Sequence, residues 1–312
     1  MPAHENQQQL ACMQLWGGNQ RSRESISLEG IDAWVYCNPY DGSDQGGDIH
    51  YMTSCATGRI TRIVIADISG HGELVADFAV ILKQLMHRYI NYISQEKFAR
   101  EINNHFCKIS KKGQFATAII MTHFAPTGEL TFCNAGHPSP LVYRNNSKSW
   151  HKLEQEILDD QDHTNVPFGI VENTEYKQNR VVLGEGDIVI LFTDALMEAL
   201  MSSSEDDGLE LLQKMLDRIS VTDPNILLES IIDSLKKVLD EDKFTDDMTI
   251  LVLSPKYLYK LALKNRLKAP VVLATGMFRA LVNKDRKLPK LELDLQNLGG
   301  LFLDRFNRKK KP

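Results

Sequence analysis

The apolar and polar residues in the first third of the chain are arranged in patterns that predict two strands followed by two helices. The runs "IDAWVYC" (31–37) and "RITRIVIAD" (59–67) are rich in β-branched and apolar residues, which favours strands, and the second run ends on a carboxylate. After a glycine-rich turn, apolar residues recur at three- and four-residue steps from Leu74 to Tyr89, as expected for one buried helical face. The same spacing predicts a second helix over 96–109.

Beyond Gly113 the pattern changes to that of short strands. A Pro/Gly turn, "APTG", joins the first two of them as a hairpin. The predicted strands cover residues 115–124, 129–136, 140–144, 180–183, 187–193 and 247–253, and two amphipathic helices fall at about 206–219 and 224–240. Because the strands come in blocks, we predict an α+β fold with antiparallel sheets covered by helices, rather than a doubly wound parallel sheet.

Composition is that of an ordinary globular protein. The chain has 312 residues, of which 43% are hydrophobic and 25% charged. No run of eighteen apolar residues and no signal-peptide pattern is found, so we expect a cytoplasmic location. The five cysteines are scattered and never spaced as CxxC, which argues against a disulfide framework and against a zinc site.

Charge is distributed unevenly along the chain. Residues 256–312 contain 15 Lys or Arg and 4 Asp or Glu, so they carry +11, whereas the first 255 residues carry −16. Such asymmetry marks a boundary, and this one falls just after the last predicted strand. We therefore expect an N-terminal segment (1–29), a main domain (30–255) and a basic C-terminal extension (256–312).

Aspartates stand at strand ends or glycine turns in four separate places. They are Asp48 in "GGD", Asp67 in "ADISGHG", Asp194 in "ILFTDALMEA", and Asp246 with Asp247 in "FTDDMTILVL". Taken singly, each has an ordinary structural explanation: Asp67 could cap a helix, Asp194 could be solvated, and the aspartate pair could form an exposed turn. Together they indicate more, because converging carboxylates at the rim of a sheet would repel one another unless a cation lay between them.

A site built only from oxygen ligands suits Mg²⁺ or Mn²⁺ rather than zinc. The glycines beside Asp48 and after Asp67 would let the backbone approach the ions and their waters. Two such ions about 3.5–4 Å apart can share a water, lower its pKa and direct it at a phosphoryl group. The pattern therefore predicts a binuclear phosphatase centre.

Six separated motifs carry a resemblance to a known family. "GGD", "ADISGHG", "NAGHPSPLVY", "PFGI", "ILFTDALMEA" and "DDMTILVL" occur in an order and spacing that resembles the SpoIIE-like bacterial branch of the metal-dependent Ser/Thr protein phosphatases, the type 2C class. The resemblance spans about residues 30–255. It implies a β-sandwich of two mainly antiparallel sheets flanked by helices, a binuclear Mn²⁺/Mg²⁺ site at one rim, and hydrolysis of phosphoserine or phosphothreonine without a covalent phosphoenzyme.

The resemblance also implies roles for particular residues. The implied metal ligands are Asp48, Asp67 bridging both ions, the carbonyl of Ile68, Asp194 and Asp246, with Asp247 as a further candidate. Two positions depart from the family pattern. Ala195 stands where the family usually has glycine, and no arginine stands at the matching place before Asp48, so the metals alone would hold the substrate phosphate.

Two histidines fall within these motifs. His71 in "SGHG" could protonate the leaving alkoxide, since an ordinary histidine pKa near 6.5 suits acid catalysis near neutral pH, or it could pack against the loop and orient the metal turn. We expect His137 in "NAGHP" to be a structural hydrogen-bonding residue beside the site. Asn134 and Gly136 would shape the same loop, and neither histidine is expected to ligate a metal.

The basic extension begins with leucines interleaved with lysines. Such a segment could lie on an anionic membrane surface or bind an acidic partner, and it could equally be a helical extension docked on the acidic main domain. Nucleic-acid binding is disfavoured, because no aromatic and basic groove pattern accompanies the charge.

The leading hypothesis is a serine/threonine phosphoprotein phosphatase that acts on a bacterial signalling protein, by analogy with relatives whose substrates are anti-anti-sigma factors of the STAS type. One alternative is a catalytically silent phosphatase-fold scaffold, which would have no reason to keep mutually repelling carboxylates. Another is phosphotransfer onto an aspartate as in receiver domains, which would require a parallel α/β order that the strand blocks oppose.

Overall fold

In the computed structural model the chain forms a β-sandwich with helices on both outer faces. The structure describes residues 8–9, 15–28, 30–54, 59–69, 73–88, 95–111, 113–153, 165–201, 207–219, 223–238 and 246–256. His71 and residues 257–312, to which the sequence analysis assigned roles, lie outside these ranges. The predicted α+β architecture of two mainly antiparallel sheets flanked by helices is confirmed.

The described part of the chain contains thirteen strands and five α-helices. The strands are β1 (Gln8–Gln9), β2 (Leu15–Gln20), β3 (Ser22–Ser27), β4 (Ile31–Asn38), β5 (Gln45–Ser54), β6 (Ile60–Ile68), β7 (Ala116–Phe124), β8 (Glu129–Ala135), β9 (Leu141–Arg144), β10 (Ser149–Lys152), β11 (Asn179–Val182), β12 (Ile188–Phe192) and β13 (Met248–Pro255). The helices are α1 (Glu73–Arg88), α2 (Gln95–Ile109), α3 (Asp194–Met201), α4 (Gly208–Leu216) and α5 (Pro224–Val238).

The strands form two sheets that pack face to face. Sheet I has the order β1-β3-β4-β13-β12-β9-β10, and sheet II has the order β11-β8-β7-β6-β5-β2. Neighbouring strands pair antiparallel except for the short parallel pair of β1 with β3. Strands that are distant in the sequence, such as β4 and β13, are therefore neighbours in the fold.

The first 29 residues contribute to both sheets. Strand β2 pairs with β5 in sheet II, and β3 pairs with β4 in sheet I. The sheets therefore reach further toward the N-terminus than the predicted boundary at residue 30. The polar sequence of β3, in which only Ile26 is buried, explains why alternation did not reveal it.

Three apolar layers hold the sandwich together. The central layer lies between the sheets and includes Ile63, Ile65, Leu191 and Leu251. A second layer joins sheet II to α1 and α2, where the predicted helix-face residues Phe98, Ile102 and Phe106 are fully buried. The third joins sheet I to α3, α4 and α5. Since side chains along a strand alternate between faces, the inner strands of each sheet, such as β6 and β13, supply two of these layers.

Several elements were not predicted from the sequence, among them β2, β3, β5, β10 and α3. Helix α3 begins at Asp194 immediately after β12, within one continuous apolar run that offered no change of hydrophobicity to mark the start. Strand β10 lies where no strand was predicted. It is a four-residue strand at the end of sheet I with one buried side chain, Trp150, so it leaves no clear alternation in the sequence. No helix among the described residues is long and apolar enough to cross a membrane.

Candidate metal centre

The candidate site lies at one end of the sandwich, where the side chains facing the central layer change from apolar to acidic. Along β6, Ile63 and Ile65 face the opposite sheet, and the two-residue period puts Asp67 on the same face. Along β5 the same period leads from Met52 to Asp48. Asp48 and Asp67 are directly opposite each other in the β5–β6 register, so the two carboxylates are cross-strand neighbours.

Sheet I brings its own aspartates to this end. Strand β12 ends at Phe192, and Asp194 is the first residue of α3, so its charge lies at the helix N-terminus, where the helix dipole favours an anion. Asp246 and Asp247 immediately precede β13, which pairs with β12. The structure thus brings together aspartates from both sheets that lie up to 199 positions apart in the sequence.

We call this group of side chains the acidic rim. Its members lie at the same end of the sandwich, and each either has a raised pKa or carries a charge that raises the pKa of another member. They are Asp48, Asp67, Asp194, Glu198, Asp246 and Asp247.

The pKa values of the two sheet II aspartates report this crowding. Burial, followed by the charges of Asp194, Asp246, Asp247 and Glu198, raises the pKa of Asp67 to about 7. The pKa of Asp48, which is 1% exposed, is also raised, first by burial and then by the charge of Asp67. Both shifts have the sign expected when carboxylates share a partly desolvated space.

The aspartates of sheet I are coupled to the same group. Burial, with the charge of Asp246 as the next cause, raises the pKa of Asp194. Glu198, one turn further along α3, has its pKa raised by desolvation and then by Asp194 and Asp246. Ala195, where the family pattern has glycine, is a buried helical residue in the layer under sheet I, so its methyl group is accommodated without distortion.

Asp247 has a different environment from its neighbour Asp246. Its two carboxylate oxygens accept hydrogen bonds from the backbone N–H groups of Tyr40, at 2.6 Å, and Gly47, at 2.5 Å. These bonds fasten the β4–β5 loop and the start of β5 to the start of β13. Asp246 is exposed, and one of its oxygens accepts the N–H of Asp247 at 2.8 Å.

The "NAGHP" loop lies beside the rim, at the end of β8. The side chain of Asn134 accepts the N–H of His137 and donates to its carbonyl oxygen, both at 2.7 Å, and so closes the turn. His137 Nδ1 lies 2.8 Å from Thr117 Oγ1, and Thr117 pairs with Asp67 across β6 and β7. Gly136 has a φ of +70°, which favours glycine. Burial lowers the pKa of His137 to about 3, so it is a neutral residue in the support of the rim.

Comparison with known proteins gives the evolutionary context of this geometry. The sequence model of the family described as Stage II sporulation protein E (SpoIIE) matches residues 57–256, which is more than half of the chain. The chain belongs to the SpoIIE family. The resemblance drawn from the six sequence motifs is therefore confirmed, and the match includes Asp67, Asp194 and the aspartate pair before β13.

The SpoIIE relatives include proteins of named activity and known structure. Phosphoserine phosphatase RsbU of Bacillus subtilis is 26% identical over 198 residues, which are 62% of this chain and 56% of RsbU. The chain therefore spans little more than half the length of that relative. The phosphatase domain of SpoIIE from Bacillus subtilis, described as a PP2C domain, superposes with a TM-score of 0.59 at 14% identity, over 78% of this chain and 71% of that one.

A further solved structure shares this fold. RsbX in complex with magnesium superposes with a TM-score of 0.54 at 20% identity, covering 75% of this chain and all of RsbX. At this identity the similarity establishes the fold alone. Among the described residues, no three acidic, histidine or cysteine side chains lie close enough together in this structure to hold a metal ion.

The donors of the acidic rim nevertheless fit a hard divalent cation. They include carboxylates with raised pKa values, and the buried Asp48 has only threonine hydroxyls, those of Thr193 and Thr249, as side-chain hydrogen-bond donors among the described residues. A divalent ion would offset both the desolvation and the mutual repulsion of such groups. Ile68 ends β6, one residue beyond the last pair of the β5–β6 ladder.

Sequence reasoning missed three residues of the site. Glu198 lies four positions after Asp194, so the two share a helix face, but α3 had not been identified as a helix. Thr193 and Thr249 lie on the central face of β12 and β13, in line with Leu191 and Leu251. A polar residue at an otherwise apolar two-residue period was the signal that could have revealed them.

Proposed function

We propose that this SpoIIE-family chain is a metal-dependent protein-serine/threonine phosphatase. It would hydrolyse phosphoserine or phosphothreonine on a protein, with two Mn²⁺ or Mg²⁺ ions at the acidic rim. The observation that carries the proposal is the convergence of aspartates from both sheets at one end of the sandwich, with the pKa of Asp67 raised to about 7 and that of Asp48 also raised. A fold without a use for cations would gain stability by replacing such groups.

The proposed ligands come from four segments. Asp48 and Asp67, on adjacent strands of sheet II, and the carbonyl of Ile68 would form one side of the centre, while Asp194 and Asp246 would form the other. Asp247 was a further candidate from the sequence. Because its oxygens already accept two backbone hydrogen bonds, we propose that it shapes the centre by holding the β4–β5 loop.

When bound, the two ions would supply an activated water and would polarise the phosphoryl oxygens. The protein's own residues would prepare this centre. Asp48 is withdrawn from water and would fix one edge rigidly, whereas Asp194 and Glu198 are progressively more exposed and face the approach of substrate. Whether His71 protonates the leaving alkoxide or orients the turn after Asp67 stays a prediction, because His71 lies outside the described residues.

The proposed substrate is a phosphorylated signalling protein, with an anti-anti-sigma factor of the STAS type as the specific candidate. The name of RsbU, a phosphoserine phosphatase, supports the phosphoserine class. The cytoplasmic location stays a prediction, as does the binding of residues 256–312 to a membrane surface or an acidic partner. Residues 257–312 lie outside the described residues, and the +11 charge of residues 256–312 is the basis for the binding hypothesis.

Phosphate release in the presence of Mn²⁺ tests the proposal. The substrates are p-nitrophenyl phosphate and a phosphoserine peptide, and the proteins are the full chain and its Asp67→Asn variant. We expect the wild-type protein to release phosphate only with Mn²⁺ or Mg²⁺, and Asp67→Asn to lower kcat/KM by about a thousandfold, equivalent to about 4 kcal/mol of transition-state stabilisation.

Asp217→Asn is the matched control, because Asp217 is an exposed aspartate at the end of α4. It should retain wild-type activity. If the wild-type protein released no phosphate from either substrate with either ion, the catalytically silent scaffold would be favoured instead.

A further inference from the structure

Two buried threonines connect Asp48 to the opposite sheet. The Thr193 hydroxyl donates to Asp48 Oδ2 at 2.8 Å, and the same hydroxyl oxygen accepts the N–H of Thr249 at 2.9 Å. The single proton of the Thr249 hydroxyl has two acceptors within reach, Cys37 Sγ at 3.4 Å and the Asp48 carboxylate. Asp48 belongs to sheet II, whereas both threonines belong to the β12 and β13 region of sheet I, so these bonds cross the sandwich.

The burial of the two hydroxyl groups suggests a reason for threonine at these positions. Thr193 and Thr249 are 0% exposed, and each continues a face whose preceding or following member is leucine. A valine would satisfy the apolar pattern at both positions without placing a hydroxyl out of water. A buried hydroxyl is costly unless it is hydrogen-bonded, and both of these direct their bonds toward one carboxylate.

The two threonines also lie next to the aspartates that sheet I contributes. Thr193 immediately precedes Asp194, and Thr249 follows Asp246 by three residues. The backbones at the two threonines are themselves paired, because Thr193 N–H donates to the Thr249 carbonyl at 3.1 Å. A bond from either threonine to Asp48 therefore fixes the position of a sheet II carboxylate relative to those of sheet I.

We infer that Thr193 and Thr249 are positioning residues that hold Asp48 in register with Asp194 and Asp246 for divalent-cation binding. The inference rests on the proposed function, since it concerns the same acidic rim. Hydrogen bonds to a ligating carboxylate restrict its orientation, and removing such partners commonly lowers metal affinity by about 10–100-fold.

Calorimetric titration of the metal-free full chain with Mn²⁺ tests the inference, together with circular dichroism to measure Tm. The variants are Thr193→Val, which keeps the branched shape but removes the hydroxyl, Thr193→Ser, which keeps the hydroxyl, and Thr249→Val. The control is Thr61→Val on β6, at the opposite end of the strand from Asp67. Thr61 is equally buried, and its hydroxyl has no hydrogen-bond partner within the described segments.

We expect Thr193→Val to weaken Mn²⁺ binding by about tenfold or more and Thr249→Val to weaken it severalfold. Thr193→Ser and Thr61→Val should bind within about twofold of wild type. A purely structural role would lower the Tm of the metal-free protein and leave the Mn²⁺ affinity of the folded protein unchanged. That result for Thr193→Val would overturn the inference.

Two further outcomes would also decide between the possibilities. If Thr193→Val does not fold, Thr249→Val decides, because it leaves the Thr193 bonds to Asp48 and to the Thr249 N–H in place; unchanged affinity in that variant would overturn the inference. Absence of Mn²⁺ binding by the wild-type protein would instead contradict the proposed function, so the two failures are distinguishable.

Discussion

At the scale of single residues, two buried aspartates of this protein have opposite environments. Asp48 faces Asp67 across a strand pair, and burial and that neighbouring charge raise its pKa. Asp187, which is 4% exposed, forms an ion pair with Arg144 at 2.8 Å and accepts the N–H groups of Asn145 and Gly184. Among the described residues, Asp187 is therefore paired with a cationic side chain, whereas Asp48 is hydrogen-bonded by threonine hydroxyls and faces another carboxylate.

The contrast predicts opposite effects of the same substitution on stability. At pH 8, Asp48→Asn should raise the Tm of the metal-free protein by about 2–4 °C, the change that 1 kcal/mol produces in a domain of 150–250 residues, because it removes a repelled buried charge. Asp187→Asn should lower Tm by at least as much, because it leaves Arg144 without its partner. Thermal unfolding followed by circular dichroism measures both changes in Tm. A fall in Tm for Asp48→Asn would show that the Asp48 carboxylate does not destabilise the metal-free protein.

At the scale of elements, the loop between β4 of sheet I and β5 of sheet II is held by a side chain that immediately precedes β13 of sheet I. Asp247, just before β13, accepts the N–H groups of Tyr40 and Gly47, and Asn19 of β2 donates to the Gly46 carbonyl at 3.0 Å. Gly46 is required by space: a Cβ there would lie 2.6 Å from Cγ and Oδ1 of Asp247. The position of Asp48, two residues later, therefore depends on a contact between the two sheets.

Gly46→Ala should release this loop. The added methyl would displace the Asp247 carboxylate, so the Tyr40 and Gly47 amides should exchange hydrogen about 10–100-fold faster, as expected from losing bonds to a charged group worth about 1.5–3 kcal/mol. Hydrogen exchange followed by mass spectrometry or NMR measures the change. Gly18→Ala on β2 is the control, because its Cβ would have no atom nearer than 3.9 Å. Equal protection in both variants would contradict the proposed role of Asp247.

At the scale of the whole molecule, three buried histidines make stability depend on pH. Burial lowers the pKa of His50 and of His123 to about 4, and that of His137 to about 3. In the unfolded chain each would have a pKa near 6.5. At these three sites the unfolded state therefore binds more protons between these values, so the histidines' contribution to the free energy of unfolding should fall as pH decreases from about 6.5 toward 4. This contribution is opposite in sign to that of Asp67, whose pKa in the folded protein is raised to about 7.

His123 offers the cleanest test of this linkage, because it lies on β7 at the end remote from the acidic rim and neither ring nitrogen has a hydrogen-bond partner in the described part of the chain. The lowered pKa of His123 accounts for about 3 kcal/mol across the whole range. His123→Leu should therefore reduce the loss of unfolding free energy between pH 7 and pH 5, measured by urea denaturation. His151→Leu, at an exposed position of β10, is the control. An unchanged slope for His123→Leu would contradict the expectation.

The sequence predicted the strands that alternate strongly and the helices that carry a clear stripe, because burial on one face imposes those periods directly. It could not predict α3, whose start lies inside an apolar run, or β3 and β10, which bury one side chain each. The same distinction between predictable and unpredictable features applies to the site. The aspartates were found from their motifs, but the pairing of Asp48 with Asp67 and the contact of Thr193 with Asp48 depend on strand order and sheet packing, which a linear pattern does not encode.

The central claim is that the acidic rim binds two divalent cations. The most direct measurement is anomalous scattering from crystals of the full chain grown with Mn²⁺. The account predicts two manganese peaks among Asp48, Asp67, Asp194 and Asp246, and their loss in crystals of Asp67→Asn. Crystals of the wild-type protein that show no manganese among these carboxylates would contradict it.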